Sequence, residues 1–333
     1  MTKKLCALAC VLALMAGVLT GCKEESSGLK KVTLNEVAHS IFYAPMYVAI
    51  EKGYFADEGI ELVLVNGNGA DKVMTALVAG EADIGFMGSE ASIYVYQEGS
   101  KNYAVNFAQL TQRAGNFLVG READEDFSWN DLKGTTVLGG RAGGMPQMIF
   151  EYILKQNGID PQNDLEIIQN IDFGVTAEAF ASGTADYTVE FEPFATSLEQ
   201  AGNGYVLASL GVDSGYVPYT CFCALEDYMA ENPDVIQGFT NAIQKGLNYV
   251  AGHTPEEIAQ VIAPQFAETD FDALVTIVQR YYEQDTWKTD AIFTEEAFNL
   301  LQDILDEAGE LSQRVDYNVL VTTDFAEKAK ENN

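Results

Sequence analysis

Residues 44–60 read APMYVAIEKGYFADEGI, and this stretch predicts a helix, a turn and a strand in succession. Apolar residues recur at helical spacing between Phe42 and Lys52. Gly53 ends the helix, since glycine is common directly after a helix C-terminus. Residues 55–59 then form a turn that leads into a strand over residues 60–65. A helix followed closely by a strand is typical of α/β proteins, in which helices cover a largely parallel sheet.

The same alternation continues on both sides of this stretch and begins a second time near Gly120. We expect further strands at 32–37, 82–87, 135–138, 164–170 and 185–189. We expect further helices at 70–79, 89–97, 145–157, 176–182 and 192–199. From Glu231 onward the pattern is helical, with helices predicted at 233–250, 254–267, 270–285 and 294–308. Two α/β units fit the chain length, because about 310 residues exceed what one hydrophobic core usually serves.

The N-terminus has the layout of a secretory signal peptide. Lys3 and Lys4 precede an apolar run over residues 5–19, which is shorter than the roughly 20 residues that a membrane span needs. The run ends in LTGC at residues 19–22, which resembles a bacterial lipobox. That resemblance implies cleavage before Cys22 and a diacylglycerol group on its sulfur. The alternative is an ordinary signal peptide followed by an incidental cysteine. We therefore predict a signal peptide at 1–21, a lipidated tether at 22–30 and an extracytoplasmic protein anchored to a bacterial membrane.

The charge balance excludes several classes of partner. The chain has 19 basic and 50 acidic residues, and loss of Lys3 and Lys4 with the signal peptide leaves 17 against 50, a net charge of −33. Such a protein is a poor ligand for nucleic acid, which attracts basic surfaces. The same charge disfavours binding to anionic lipid, so the membrane contact is predicted to be through the lipid anchor only.

The chain has few histidine and cysteine residues from which a catalytic or metal site could be built. The sequence has two histidines and five cysteines. Cys6 and Cys10 belong to the predicted signal peptide and Cys22 to the predicted anchor, so Cys221 and Cys223 remain, and we interpret them as buried small hydrophobic residues. The sequence contains no Ser-His-Asp, Cys-His or metal-ligand pattern. We therefore predict no enzymatic activity, no metal and no cofactor.

Three motifs carry a family resemblance. Residues 44–60, the segment ALVAGEADIG at 76–85 and the segment DLKGTTV at 131–137 resemble the solute-binding proteins of ABC transporters in the sulfonate, nitrate and thiamine-precursor group. The segment FASGTADY at 180–187 is a degenerate repeat of the second motif. Together the motifs cover most of residues 32–225.

The resemblance implies the type II periplasmic-binding-protein fold. In that fold two lobes, each a mixed sheet with covering helices, are joined by a hinge of two crossover strands, and a small-molecule solute binds between them. Lobe one is expected at 31–119 and 222–333, and lobe two at 120–221. Closure of the lobes around the solute would present it to the ABC permease and ATPase subunits. We expect a monomer.

Ligands of open α/β sheets bind beyond the carboxyl ends of the strands, and this rule selects the candidate site. The candidates in the first lobe are His39, Phe42, Tyr43, Asn68, Ser89 and Glu90. Those in or next to the second lobe are Arg141, Gly143, Gly144, Met145, Asn170, Glu190, Glu192 and Tyr219, with Phe173 as a weaker one. Several have a structural alternative: His39 as a buried histidine, Phe42 and Tyr43 as core, Ser89 as a helix N-cap and Arg141 in a surface salt bridge.

Two kinds of solute remain open. The first is a planar nitrogen heterocycle, such as a pyrimidine or thiamine precursor, held by aromatic rings and by Glu190 or Glu192. The second is a small anion such as an alkanesulfonate, taurine or nitrate, held by Arg141 and helix N-termini. A carboxylate at the centre of the cleft would disfavour the anion. Two further alternatives are a sensor lipoprotein and an enzyme of the same fold, such as the eukaryotic pyrimidine synthase that consumes its own histidine. His39 invites that last comparison, but the Cys-rich motif of that enzyme is missing here.

Overall fold

The computed structural model describes residues 28–171 and 174–333. The predicted signal peptide, the predicted lipidation site Cys22 and the weaker candidate Phe173 lie outside the described residues. The described strands form two five-stranded sheets. None of the described helices is long and apolar enough to cross a membrane.

The first sheet is mixed. Its strands are β1 (Lys30–Glu36), β2 (Ile60–Asn66), β3 (Ile84–Met87), β4 (Ala104–Thr111) and β10 (Thr220–Leu225), in the spatial order β2-β1-β3-β10-β4. β1 pairs in parallel with β2 and β3, whereas β10 is antiparallel to β3 and β4.

The second sheet repeats this plan. Its strands are β5 (Asn116–Gly120), β6 (Thr136–Leu138), β7 (Glu166–Ile168), β8 (Tyr187–Phe191) and β9 (Tyr205–Ser209), in the spatial order β7-β6-β8-β5-β9. β6 is parallel to β7 and β8, and β5 is antiparallel to β8 and β9. The structure thus confirms the predicted pair of mixed sheets.

The chain passes from the first sheet to the second between Thr111 and Asn116, and returns between Ser209 and Thr220. We name the part built on the first sheet lobe one and the part built on the second sheet lobe two. β5 lies at the end of the segment expected for lobe one (31–119), and β10 begins at the end of the segment expected for lobe two (120–221).

The helices cover both sheets. In chain order they are α1 (Ala44–Glu51), α2 (Tyr54–Asp57), α3 (Ala70–Val78), α4 (Glu90–Gln97), α5 (Met145–Gln156), α6 (Thr176–Ala181), α7 (Phe194–Gln200), α8 (Leu210–Asp213), α9 (Glu226–Glu231), α10 (Pro233–Gly252), α11 (Pro255–Ile262), α12 (Phe271–Glu283), α13 (Glu295–Ala308), α14 (Tyr317–Leu320) and α15 (Asp324–Asn332). Short 3-10 turns lie at Ile41–Tyr43, Trp129–Leu132 and Ala263–Phe266.

The C-terminal helices pack mainly on lobe one. α10 lies directly on α1, and a Cβ atom at Gly246 would come within 2.2 Å of the Pro45 carbonyl oxygen, so only glycine permits this approach. Val321 bridges to Asn106 beside β4. The apolar stretch that begins at residue 44 therefore serves as the docking surface for the C-terminal region.

Candidate ligand-binding site

A cavity lies between the two lobes, with about 970 Å³ of empty space when its solvent-open mouth is included. Its walls come from segments at or after the carboxyl ends of β1, β2 and β3 in lobe one and of β6, β7 and β8 in lobe two, and from the two crossings near Asn116 and Tyr219. The lining residues are Val37, Ala38, Ser40, Tyr43, Gly69, Ala70, Gly88, Glu90, Asn116, Gly140, Arg141, Gly144, Met145, Pro146, Ile171, Gly174, Thr176, Val189, Glu190, Phe191, Phe194, Tyr219 and Thr220.

The structure brings seven of the fourteen predicted site residues that it describes to this cavity. The predicted residues that line it are Tyr43, Glu90, Arg141, Gly144, Met145, Glu190 and Tyr219. Those outside its lining are His39, Phe42, Asn68, Ser89, Gly143, Asn170 and Glu192.

Phe42 belongs to the core behind the cavity, contrary to the prediction that it stacks on a ligand. Its side chain is 0 % exposed and contacts the rings of Tyr43, Phe191, Tyr219 and Tyr281 at centroid distances of 5.0–5.7 Å. Three of those rings, Tyr43, Phe191 and Tyr219, line the cavity. Phe42 therefore fixes the aromatic wall from the rear.

His39 faces the surface between β1 and the C-terminal region, contrary to the prediction that it bonds the ligand. Its Nδ1 lies 2.9 Å from Glu36 Oε1 and its Nε2 lies 2.8 Å from the Gln265 carbonyl oxygen. The hydrogen bond to Glu36 raises the pKa of His39, while partial burial opposes that shift. With an acceptor at each ring nitrogen, the imidazolium form is favoured.

Glu192 is directed into a structural network, although the sequence suggested a role beside Glu190. β8 ends at Phe191, so Glu192 no longer follows the alternation of the strand. Its carboxylate is 0 % exposed and accepts hydrogen bonds from the Thr196 N–H, the Thr196 hydroxyl and Arg280, at 2.8–2.9 Å. This cluster joins lobe two to α12.

The remaining predicted residues have simpler positions. Asn68 and Asn170 are exposed, whereas Ser89 is buried at the start of α4 without a side-chain cap bond to the helix. Gly143 lies at the rim, where its carbonyl oxygen accepts a hydrogen bond from the Tyr94 hydroxyl at 3.1 Å.

Glu190 lies in the cavity wall on β8 and is held by two hydroxyl groups. The Thr188 hydroxyl donates to Oε1 at 2.6 Å and the Thr176 hydroxyl donates to Oε2 at 3.0 Å. The side chain is 3 % exposed, and burial raises its pKa to about 7 although both hydrogen bonds favour the carboxylate. The alternation of β8 places Thr188 and Glu190 on one face, a signal that was available in the sequence.

Glu90 is the second carboxyl group of the cavity and begins α4. It is 3 % exposed, and burial raises its pKa to about 7 against the opposing effects of its own N–H, Arg141 and the Met145 N–H. A Cβ atom at Gly88 would lie 2.1 Å from Glu90 Oε2, so the glycine is required for the carboxyl group to take this position. Among the described residues, Glu90 Oε2 has no hydrogen-bond partner.

The other walls are largely apolar and aromatic. Sequence reasoning missed Phe191, Phe194, Thr176 and Asn116 as lining residues. Asn116 accepts a 2.6 Å hydrogen bond from the Tyr219 hydroxyl, which fixes that ring across the junction of the lobes. An apolar cavity with a few fixed polar groups is the usual form of a small-molecule site.

The lobes touch around the cavity. Arg141 Nη2 lies 3.4 Å from Asp71 Oδ1 of lobe one, in an ion pair whose two side chains are about half exposed. The alternative predicted for Arg141, a surface salt bridge, is therefore present, and the residue also lines the cavity. Deeper in, the Ser40 hydroxyl donates to the Glu192 carbonyl oxygen at 2.9 Å. These contacts join the two lobes at the rim of the cavity and at a deeper position.

The described residues contain no group of three or more His, Cys, Asp or Glu side chains suited to hold a metal ion. Cys221 and Cys223 are free thiols buried on β10, as the sequence indicated. Burial raises the pKa of Cys223 to about 12 and also raises that of Cys221, so both remain protonated and unreactive near neutral pH.

Two mixed α/β sheets joined by two crossings, with a cavity at the carboxyl ends of their strands, define the periplasmic-binding-protein class of fold. The chain belongs to the family described as NMT1/THI5 like, which it matches over residues 41–258.

A curated relative supports the class. The chain is 47 % identical over 310 residues to YtlA of Bacillus subtilis, a protein named as a binding protein, and the match covers 93 % of this chain and 92 % of that one. A more distant relative, the 4-amino-5-hydroxymethyl-2-methylpyrimidine phosphate synthase of Candida albicans, is 22 % identical over 66 % of each chain.

Solved structures share the fold. The ligand-binding component of an ABC-type import system from Staphylococcus aureus superposes with a TM-score of 0.72 at 16 % identity, covering 90 % of this chain and 99 % of that one. The alkanesulfonate-binding protein SsuA of Xanthomonas axonopodis pv. citri gives a TM-score of 0.71 at 14 % identity, covering 88 % and 98 %.

Proposed function

We propose that this protein captures a small planar nitrogen heterocycle of the pyrimidine or thiamine-precursor kind and delivers it to the permease and ATPase of an ABC importer. The observation that carries the proposal is Glu190, a buried carboxyl group fixed by two threonine hydroxyls in a wall of aromatic side chains. Aromatic faces stack on flat rings, and a carboxylate accepts hydrogen bonds from ring or exocyclic N–H groups. The pyrimidine in the name of the Candida albicans relative is a compound of this class.

The alternative solute, a small anion, is favoured by the structural likeness to the alkanesulfonate-binding protein and by Arg141 at the rim. Two buried carboxyl groups oppose it, since Glu90 and Glu190 both line the cavity. An anion brought beside them would be repelled or would require both groups to be protonated. The electrostatics of the cavity therefore favour a ligand that donates hydrogen bonds.

We propose transport without chemistry on the solute. The eukaryotic pyrimidine synthase of the same fold consumes one of its own histidines. In this protein His39 lies outside the cavity lining and is paired with Glu36 and Gln265. Incubation with a pyrimidine ligand should return it unchanged by mass spectrometry. Release of a modified pyrimidine would contradict the proposal.

The proposed location is the outer face of the bacterial membrane, with the protein anchored through a lipid on Cys22. The support is the LTGC segment at residues 19–22. Cells that express Cys22→Ala should release the protein from the membrane fraction and lose metabolic labelling with palmitate. Retention of both label and membrane association in the variant would reject lipidation at this residue.

The test of the solute is a binding titration of the purified protein at pH 8 with 4-amino-5-hydroxymethyl-2-methylpyrimidine, ethanesulfonate and nitrate. We expect the pyrimidine to bind and to raise the melting temperature, because a ligand at about 100 times its Kd adds roughly 2.7 kcal/mol of stability. Glu190→Gln should weaken binding about 10- to 100-fold, the usual contribution of a charged hydrogen bond. Glu283→Gln, the same change on an exposed face of α12, should leave binding unchanged. Binding of ethanesulfonate or nitrate alone would overturn the proposed solute.

A further inference from the structure

Glu90 projects from lobe one into the junction of the lobes. It is buried in the cavity wall, and its Oε2 atom has no hydrogen-bond partner among the described residues. A buried carboxylate oxygen without a donor is costly, so this position is stable as a carboxylate only when a donor reaches it. Glu90 lines the cavity, so a bound molecule meets its carboxyl group from that side.

The positive groups around Glu90 belong to lobe two. The N–H of Met145, the first residue of the twelve-residue helix α5, and the Arg141 guanidinium both act to lower the pKa of Glu90. The N-cap of this helix is Gly144, which contributes no side-chain cap. A helix N-terminus beside an arginine is a site where a small anion would otherwise bind.

We propose that Glu90 determines the charge of the solute that the cavity accepts. Its carboxylate fills the anion position at the start of α5, excludes sulfonates and other small anions, and accepts hydrogen bonds from a cationic or N–H-donating edge of the solute. The inference rests on the proposed function in one respect, that the cavity between the lobes is the solute site.

The surroundings of Glu90 leave few other groups that titrate near neutral pH. Burial raises the pKa of each of the following neighbours, which therefore stay protonated: Tyr43, Tyr94, Tyr219 and Cys221. Arg141 is paired with Asp71 at the rim. Glu310 lies close to Gly143 and contributes to the raised pKa of Tyr94. The remaining carboxyl group in the cavity with a pKa raised to about 7 is Glu190, which requires its own variant.

The experiment measures Kd by calorimetry for 4-amino-5-hydroxymethyl-2-methylpyrimidine and for ethanesulfonate, at pH 5.5 and pH 8. The proteins are wild type, Glu90→Gln, Gly88→Ala, Glu190→Gln and the surface control Glu283→Gln. At pH 8, Glu90→Gln is expected to bind the pyrimidine at least 10-fold more weakly and ethanesulfonate at least 10-fold more tightly than wild type. Wild type is expected to gain ethanesulfonate affinity at pH 5.5, where Glu90 is protonated, and Glu90→Gln to lose that pH dependence.

Gly88→Ala tests the same residue without altering its charge. The added methyl group collides with the Glu90 carboxyl group, so the variant is expected to lose pyrimidine affinity while its melting temperature shows a folded protein. Glu190→Gln is expected to weaken pyrimidine binding without admitting ethanesulfonate, since Glu190 is not beside the start of α5.

The outcomes separate the two proposals. If Glu90→Gln keeps its pyrimidine affinity and still rejects ethanesulfonate, the role of Glu90 is overturned and the proposed function stands. If wild type binds no pyrimidine but Glu90→Gln gains ethanesulfonate binding, the role of Glu90 in excluding anions is supported and the proposed solute is wrong. If wild type binds ethanesulfonate tightly at pH 8, both fall.

Discussion

The carboxyl groups of Glu90 and Glu190 retain protons to a higher pH in the folded protein than in an unfolded chain. Burial raises each pKa from 4.5 to about 7. Between these values the folded state binds more protons than the unfolded state, so the free energy of unfolding falls as pH rises from about 4.5 to about 7. Above about pH 7 these two groups lower the free energy of unfolding no further. A binding cavity that needs buried carboxylates therefore lowers the stability of the ligand-free protein.

The first prediction concerns this loss. Glu90→Gln removes the charge, so at pH 8 the variant should be more stable than wild type by roughly 1 to 3 kcal/mol, while the difference should be small at pH 5. Urea unfolding of both proteins at the two pH values measures it. Glu283→Gln is the control and should track wild type. Equal stability of Glu90→Gln and wild type at pH 8 would show that the carboxyl group is solvated in the folded protein.

The second prediction concerns His39, whose pKa is also raised on folding, but by a partner that favours the charged form and not by burial of a charge. The Glu36 carboxylate raises the pKa of the imidazole, so its stabilising contribution is fully present below about pH 6.5 and is lost as pH rises through the higher folded value. The stability difference between wild type and His39→Gln should therefore be larger at pH 6 than at pH 9. Urea unfolding across this range measures the difference, and a gap that widens towards pH 9 would contradict the ion pair.

At the same scale, the sequence predicted the loops of the site better than the direction of each side chain. The rule for strand ends selected Tyr43, Glu90 and Glu190, and the structure places all three in the lining of the cavity. The rule could not separate Tyr43 from Phe42, because one step along a 3-10 turn decides which ring faces the cavity and which enters the core. The partners of His39 include the carbonyl of Gln265, 226 residues away, and no local pattern announces such a contact.

At the scale of secondary-structure elements, α12 is tied to lobe two through charge. Arg280 Nη1 lies 2.8 Å from Glu192 Oε1 and its Nη2 lies 2.7 Å from Glu199 Oε2. Because the Glu192 carboxylate is fully buried, removal of the arginine leaves an uncompensated charge in the interior.

The third prediction follows from this connection. Arg280→Met should destabilise the protein by roughly 3 kcal/mol, the order expected when one partner of a buried ion pair is removed. Arg314→Met is the matched control: Arg314 pairs with Asp303 at 2.7 Å, but both side chains are about half exposed. Its loss should cost less than about 1 kcal/mol. Chemical denaturation measures the free energy of unfolding of both variants. An equal loss of stability in Arg280→Met and Arg314→Met would show that solvent reaches Glu192.

The sequence also predicted helices and parallel strands more readily than the antiparallel ones. The stretches that became β1, β3, β6 and β8 lie between helices and were recognised by that alternation. β5 is buried along its whole length, so it shows no polar alternation, and its neighbours in the sheet are β8 and β9, far along the chain. Only the family resemblance indicated that the sheets are mixed.

At the scale of the whole molecule, two α/β units could be predicted because the same pattern occurs twice, but the contacts between them could not. α13 follows β10 of lobe one in the chain yet packs against α5 of lobe two. At the rim, the Tyr94 hydroxyl of α4 donates to the Gly143 carbonyl oxygen of lobe two at 3.1 Å. Contacts between the two lobes thus support this arrangement, and a ligand that contacts both lobes should favour it.

The last prediction tests one of these contacts. Tyr94→Phe removes one inter-lobe hydrogen bond of about 0.5 to 1.5 kcal/mol, which corresponds to a rise in Kd of roughly 2- to 10-fold if the bond forms only in the closed state. Small-angle scattering should show a larger radius of gyration for the ligand-free variant than for wild type, and the same radius for both at saturating ligand, because binding still selects the closed arrangement. Tyr96→Phe is the control on the same helix, where the ring packs edge-on against Tyr103 at 5.0 Å within lobe one. If Tyr94→Phe changes neither the radius nor the Kd, the contact at Gly143 does not contribute to closure, and the lobes are held by the deeper contact between Ser40 and the Glu192 carbonyl.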